Sequence, residues 1–152
     1  MANSEPCPPQ ITLEFPIGEK DFFMAGESAS KVKTTLQQLG LRPDIIKRVA
    51  IIIYEAAMNV VIHANYGQLA VHIDPEAISV QTEDVGAGIP DIDLAMQEGY
   101  STASDEIREM GFGAGMGLPN IKQCSDELSV NSKVSKGTIL RATVYFTSKA
   151  CV

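Results

Sequence analysis

Hydrophobic positions along this chain change their period several times, and each change marks an element. Ile11-Thr12-Leu13-Glu14-Phe15 alternates apolar with polar, the two-residue period of a strand with one buried face. Between Glu27 and Leu39 the period lengthens: Val32, Leu36 and Leu39 recur at helical spacing, and Gly40 follows as a stop. Pro43-Asp44 opens a second helix, expected to run to about Ala64. Its apolar residues Ile45, Ile46, Val49, Ile52, Ile53, Ala56, Ala57 and Val60 cover much of the circumference, so this helix is buried on more than one side and is central.

Beyond it, Leu69 to Ile73 and Ile78 to Thr82 read as strands joined by the turn-forming triplet Asp74-Pro75-Glu76. The loop Asp84-Val85-Gly86-Ala87-Gly88-Ile89-Pro90 ends the second of them. Between Tyr100 and Met110, the polar segment Ser101-Thr102-Ala103-Ser104-Asp105-Glu106 has little to bury and reads as a lid. Pro119 to Cys124 is expected to be a short helix. A hairpin closes the chain, from Leu128 to Val134, through the turn Ser135-Lys136-Gly137, and from Ile139 to Phe146. Residues 1–10 carry Pro6, Pro8 and Pro9 and read as an extended tail, and residues 148–152 as a second short tail. With no repeat and no linker between them, residues 11–147 are expected to form one domain.

Composition narrows the function. At 152 residues with 45% hydrophobic and 20% charged positions, the chain can bury a single core, and no apolar run is long enough to span a bilayer. No membrane association is expected. The absence of a basic, then apolar, then small-residue N-terminal pattern points to the cytoplasm. Cys7, Cys124 and Cys151 are odd in number and unpatterned, which suits free thiols better than disulfides or zinc. A net charge of −7 without any Lys/Arg cluster argues against direct nucleic-acid binding and for a protein partner or a metal-bridged small anion.

Candidate chemistry lies in four places. Gly111-Phe112-Gly113-Ala114-Gly115-Met116-Gly117-Leu118 sets a glycine at every second position ahead of a helix. Backbone that lacks Cβ atoms can lie against a phosphate with its N–H groups inward. The run lacks the Gly-Lys-Ser/Thr of a Walker loop and the third glycine of a dinucleotide fingerprint, and taken alone it equally suits a flexible hinge. Glu55, Asn59 and His63 follow at i, i+4 and i+8, a polar stripe on one face of the central helix at about 6 Å per step. Either the stripe faces solvent, or Glu55 faces a cleft, a partner or a metal-bound ligand, because an unpaired buried carboxylate is costly. Asp84-x-Gly86-x-Gly88 is an ordinary strand end, or an acceptor beside two glycines that admit a flat ligand. Gly137-Thr138 suits a hairpin turn with or without a ligand.

In this order, Glu55-x-x-x-Asn59, Asp84-x-Gly86-x-Gly88, the cradle 111–118 and Gly137-Thr138 resemble the ATP-binding domain shared by gyrase, Hsp90, histidine kinases and MutL, the Bergerat fold. Within that superfamily, residues 11 to 146 look like the bacterial anti-sigma factor and switch-kinase branch. The resemblance is carried by Glu-Ala-x-x-Asn-x-x-x-His-Ala at 55–64, Gln97-Glu98-Gly99-Tyr100-Ser101-Thr102, and Gly115-Met116-Gly117-Leu118. The doubled glycine cradle sets the chain nearer the switch kinases than the sigma-binding kinases.

The resemblance implies an α+β fold, a two-layer α/β sandwich in which a mixed, mostly antiparallel sheet is covered by helices on one face. It implies ATP and Mg²⁺ as cofactors and assigns roles residue by residue. Asn59 matches the Mg²⁺ ligand and Glu55 the general base toward a substrate hydroxyl. Asp84 matches the acceptor of the adenine amine, with Gly86 and Gly88 beside the base, and Thr138 matches the hydroxyl that supports Asp84. Gly111, Gly113, Gly115, Met116, Gly117 and Leu118 match the phosphate cradle, and Arg108 is a candidate for reaching the γ-phosphate. His63 and His72 are read as structural, since the phosphorylated histidine of histidine kinases lies on a separate helix. The implied activity is a protein serine/threonine kinase that binds and phosphorylates a small STAS-domain-like antagonist in a partner-switching circuit around a sigma factor. The implied assembly is with that antagonist or as a homodimer. Two other functions stay open: a nucleotide-sensing anti-sigma module without transfer, and a detached histidine-kinase catalytic domain.

Overall fold

A computed structural model describes residues 10–97 and 117–146. The expected lid, Arg108, and the cradle residues Gly111, Gly113, Gly115 and Met116 lie outside the described residues, as do both tails apart from Gln10.

The chain runs β1 (Ile11–Gly18), α1 (Phe22–Gln38), α2 (Pro43–His63), β2 (Ala64–Ile73), β3 (Ala77–Gly86), a single turn α3 (Ile92–Ala95), α4 (Gly117–Cys124), β4 (Glu127–Lys133) and β5 (Gly137–Tyr145). The strands form one sheet in the order β1-β2-β3-β5-β4. All four neighbouring pairings are antiparallel, so the sheet expected to be mostly antiparallel is wholly so among the described residues.

Period-two patterning sorts the two faces. Phe15 and Ile17, Leu69 and Val71, Ile78 and Val80, and Leu140, Ala142 and Val144 are buried under the helices. Their neighbours Glu14, Gln68 and Arg141 face water on the opposite side. Helix α2 supplies the other half of the core, with ten buried residues from Ile45 to Val61 around more than one side. Pro43 occupies its first turn, where a missing N–H costs nothing, and Asp44 complements the positive helix end. Arg48 then ties α2 to the far side of the domain. Its Nε donates to the Cys124 carbonyl at the end of α4 (2.8 Å), and its guanidinium pairs with Asp126 (3.1 Å). Asp126 in turn accepts from the Tyr145 amide of β5 (2.8 Å).

Three boundaries differ most from the sequence reading. Helix α1 starts at Phe22 rather than Glu27, because the Asp21 side chain caps it by accepting from the Met24 amide. Strand β2 starts at Ala64 rather than Leu69, directly after α2, where Tyr66, Gly67 and Gln68 pair with β1 on one side and β3 on the other. Strand β3 continues to Gly86, so Asp84 lies within a strand and not in a loop.

Candidate functional site

Glu55 and Asn59 are both half-buried on α2, while His63, the third member of the stripe, is exposed at the helix end. The stripe is therefore not a plain solvent face: its first two members lie against the start of α4. An ideal Cβ built on Gly117, the first residue of α4, would sit 3.2 Å from Asn59 Oδ1 and 3.2 Å from Glu55 Oε2. The two oxygens thus converge on the space that the missing side chain leaves. Leu118, read as part of the cradle, is buried in the core and anchors α4. Burial pushes the Glu55 carboxyl above its ordinary value, and a hydrogen bond with the Asn120 side chain partly offsets this. Asn120 escaped the sequence reading, although its place three residues after Gly117, on the first turn of a short helix, marks it as facing the same way as that glycine.

Asp84 forms a second polar centre on β3, paired with Gly67 just past the C-terminal end of α2. Its Oδ1 accepts the Thr138 amide hydrogen (3.1 Å). Burial raises the carboxyl pKa, and that N–H lowers it in part. The support expected from the Thr138 hydroxyl comes instead from the Thr138 backbone; the hydroxyl pairs with Ser132 Oγ (2.7 Å). Gly86 and Gly88 are both held closely by neighbouring backbone. A Cβ on Gly86 would lie 2.9 Å from the Cα of Ala64 at the α2–β2 junction. Gly88, at φ +77°, packs on the Lys133 carbonyl at the end of β4, so where a Cβ would stand each of these glycines meets protein backbone. Gly137, at φ +130°, packs so closely on the Asp84 carbonyl that any Cβ would collide with it.

The donor set suits a magnesium-bound nucleotide. An amide oxygen and a carboxylate oxygen are hard ligands, they converge in a cradle that a Cβ would fill, and Mg²⁺ is ordinarily held by one or two protein oxygens plus phosphates and water. Among the described residues no three His, Cys, Asp or Glu gather to form an all-protein metal cage. Nor, among them, is any helix long and apolar enough to cross a membrane.

Comparison with known proteins identifies the family of this fold. The chain is 32% identical over 114 residues to the serine/threonine-protein kinase RsbT of Bacillus subtilis, covering 72% of this chain and 80% of that protein. It is 31% identical over 139 residues to the anti-sigma F factor of Thermoanaerobacter sp., covering 86% and 94%. In fold it is similar to a chain of the SiaB–SiaC complex from Pseudomonas aeruginosa, with a TM-score of 0.60, 18% identity, and 87% and 88% of the two chains covered. A histidine kinase domain from Erythrobacter litoralis superposes with a TM-score of 0.51 at 18% identity, over 81% of this chain and 61% of that one. Residues 44–148 match the family model of the histidine kinase-, DNA gyrase B- and HSP90-like ATPases, and the chain belongs to that family.

Proposed function

We propose that this protein is an ATP-dependent protein serine/threonine kinase and anti-sigma-type regulator, which binds and phosphorylates a small STAS-domain-like antagonist in a partner-switching pathway. The observation that carries the reading is the convergence of Glu55 Oε2 and Asn59 Oδ1 on the start of α4, with the carboxyl pKa raised by burial. The names of the curated relatives, a serine/threonine-protein kinase and anti-sigma factors, support a protein substrate and a protein partner.

In this reading Asp84 accepts the adenine amine, and the N-terminus of α4 faces the phosphates. Asn59 would hold Mg²⁺, which supplies charge neutralisation to the phosphate chain when bound. Glu55 takes the proton from the substrate hydroxyl as that oxygen attacks the γ-phosphorus. The bond to the β–γ bridging oxygen breaks and ADP leaves. A carboxyl with a raised pKa is a stronger base once ionised, which suits the role. Arg108 is assigned to the γ-phosphate on sequence alone. The reading locates the enzyme in the cytoplasm as one domain over residues 11–147.

The test is transfer from radiolabelled Mg-ATP to a small STAS-domain-like protein of the same organism that binds this chain. Wild type should give an acid-stable phosphoserine or phosphothreonine. Glu55→Gln should lose transfer by about 10²- to 10⁴-fold, the usual worth of a general base, while ATP affinity is kept. An acid-labile product would indicate histidine chemistry instead, and equal labelling by wild type and Glu55→Gln would remove the base assignment.

A further inference from the structure

Ser132 of β4 was passed over in the sequence, yet it is the most connected hydroxyl among the described residues. Its Oγ accepts the Ile89 amide hydrogen (2.7 Å), donates to the Gly137 carbonyl (3.1 Å) and meets the Thr138 hydroxyl (2.7 Å). One hydrogen and two lone pairs allow three partners, so with Thr138 donating to it this hydroxyl is saturated. The partners come from two segments, the 84–90 stretch and the β4–β5 turn, which are also tied by the Ser135 amide donating to the Ala87 carbonyl (2.8 Å).

The geometry of one peptide unit gives this network its consequence. The Gly137 carbonyl and the Thr138 N–H belong to the same planar group and point in opposite directions. Ser132 holds the carbonyl end, and Asp84 Oδ1 receives the N–H end. Rotation of that plane would break both bonds together, and Gly137 cannot move closer to β3 because it already packs on the Asp84 carbonyl. We infer that Ser132 is a positioning residue for nucleotide-base selection: by fixing the 137–138 peptide plane it engages Asp84 Oδ1 and leaves Oδ2 as the acceptor for an exocyclic amine. The inference rests on Asp84 facing adenine. A base that presents a carbonyl where adenine presents its amine would meet a carboxylate that cannot turn away, so Ser132 sets discrimination between ATP and GTP as well as affinity.

Calorimetric titration of the full chain with Mg-ATP and Mg-GTP tests this, together with hydrogen exchange at the Thr138 amide. Ser132→Ala should raise the ATP dissociation constant about tenfold and the GTP constant by less than about twofold, the scale of a lost buried hydrogen-bond set. The Thr138 amide should exchange faster in the ligand-free variant, and Ser132→Thr, which keeps the hydroxyl, should restore both. Unchanged ATP affinity in Ser132→Ala overturns the inference, as does a parallel loss for both nucleotides with a lowered Tm, which is what a merely structural serine would give. Wild-type protein that binds no ATP would instead overturn the nucleotide reading, a result obtained before any variant is compared.

Discussion

The two polar centres, Glu55 and Asn59 on α2 and Asp84 on β3, are built on different terms. Around Asp84, protein groups satisfy one another: the Thr138 amide, the Ser132 hydroxyl, the Ile89 amide and the Gly137 carbonyl close a network in which one carboxylate oxygen is already engaged. Around Glu55 and Asn59, two oxygens point into a gap left by a missing side chain, with Asn120 holding the carboxylate. On the proposed function, recognition is thus organised in advance, whereas the chemical end is left to be completed by what binds. Fixed partners cost ordering free energy at folding rather than at binding, which suits selection. A reaction centre must change its charge and protonation, so saturating it would defeat it.

Breaking the open end should have the largest effect. Asn59→Ala removes the hard oxygen beside Glu55 and should lower phosphoryl transfer by at least about 10²-fold in an Mg²⁺ titration, the scale of losing a group that stabilises developing charge. If transfer and Mg²⁺ dependence are unchanged, the metal assignment is wrong. The closed end should respond in stability first. Gly137→Ala forces a Cβ into the Asp84 carbonyl at φ +130°, and should cost about 1–3 kcal/mol in urea unfolding along with weaker ATP binding. A variant that unfolds at the wild-type midpoint would show that this corner yields easily.

Smaller effects follow from protonation. Because the Glu55 carboxyl is raised from 4.5, the acid limb of the transfer rate should lie above the ordinary glutamate range, and Asn120→Ala, which removes an interaction that lowers the value, should move that limb to still higher pH. A limb that stays in place would separate Asn120 from Glu55. Smallest of all is the effect on ligand-free stability. Carboxyls raised on folding give a contribution that is fully present below their unfolded pKa and lost as pH rises through the folded one. Glu55→Gln and Asp84→Asn should therefore raise the Tm slightly at neutral pH without nucleotide, and less so at pH 4. A lower Tm at neutral pH in either variant would reverse that sign.

Much of this architecture was legible from residues alone. The start of α2 at Pro43 and the turns at 74–76 and 135–137 were readable because a proline, a change of period or a glycine marks each locally. The early residues of β2 were not, since Tyr66, Gly67 and Gln68 carry no strand pattern and are held there by pairing on both flanks. The motif spacing disclosed Glu55, Asn59 and Asp84, to which the proposed function assigns chemistry of their own. It hid Ser132 and Asn120, which act through other residues. Counting outward from the β4–β5 turn would have found the serine, because Ser132 pairs in register with Thr138. The glycines at 86 and 88 have a structural requirement that the spacing does not display: a Cβ on either would meet protein backbone.

The passage from His63 to Ala64 without an intervening residue has a bearing on how this chain can vary. One residue inserted there would turn the helix by about 100° or shift the strand register beyond the irregularity already present between Ala64 and Tyr66, so length is constrained at that point. The Asp74–Glu76 turn, by contrast, could lengthen with neither consequence. Insertions and deletions among related chains should gather at that turn and spare the junction, a pattern of tolerated lengths that mutational scanning with single-codon insertions would read directly.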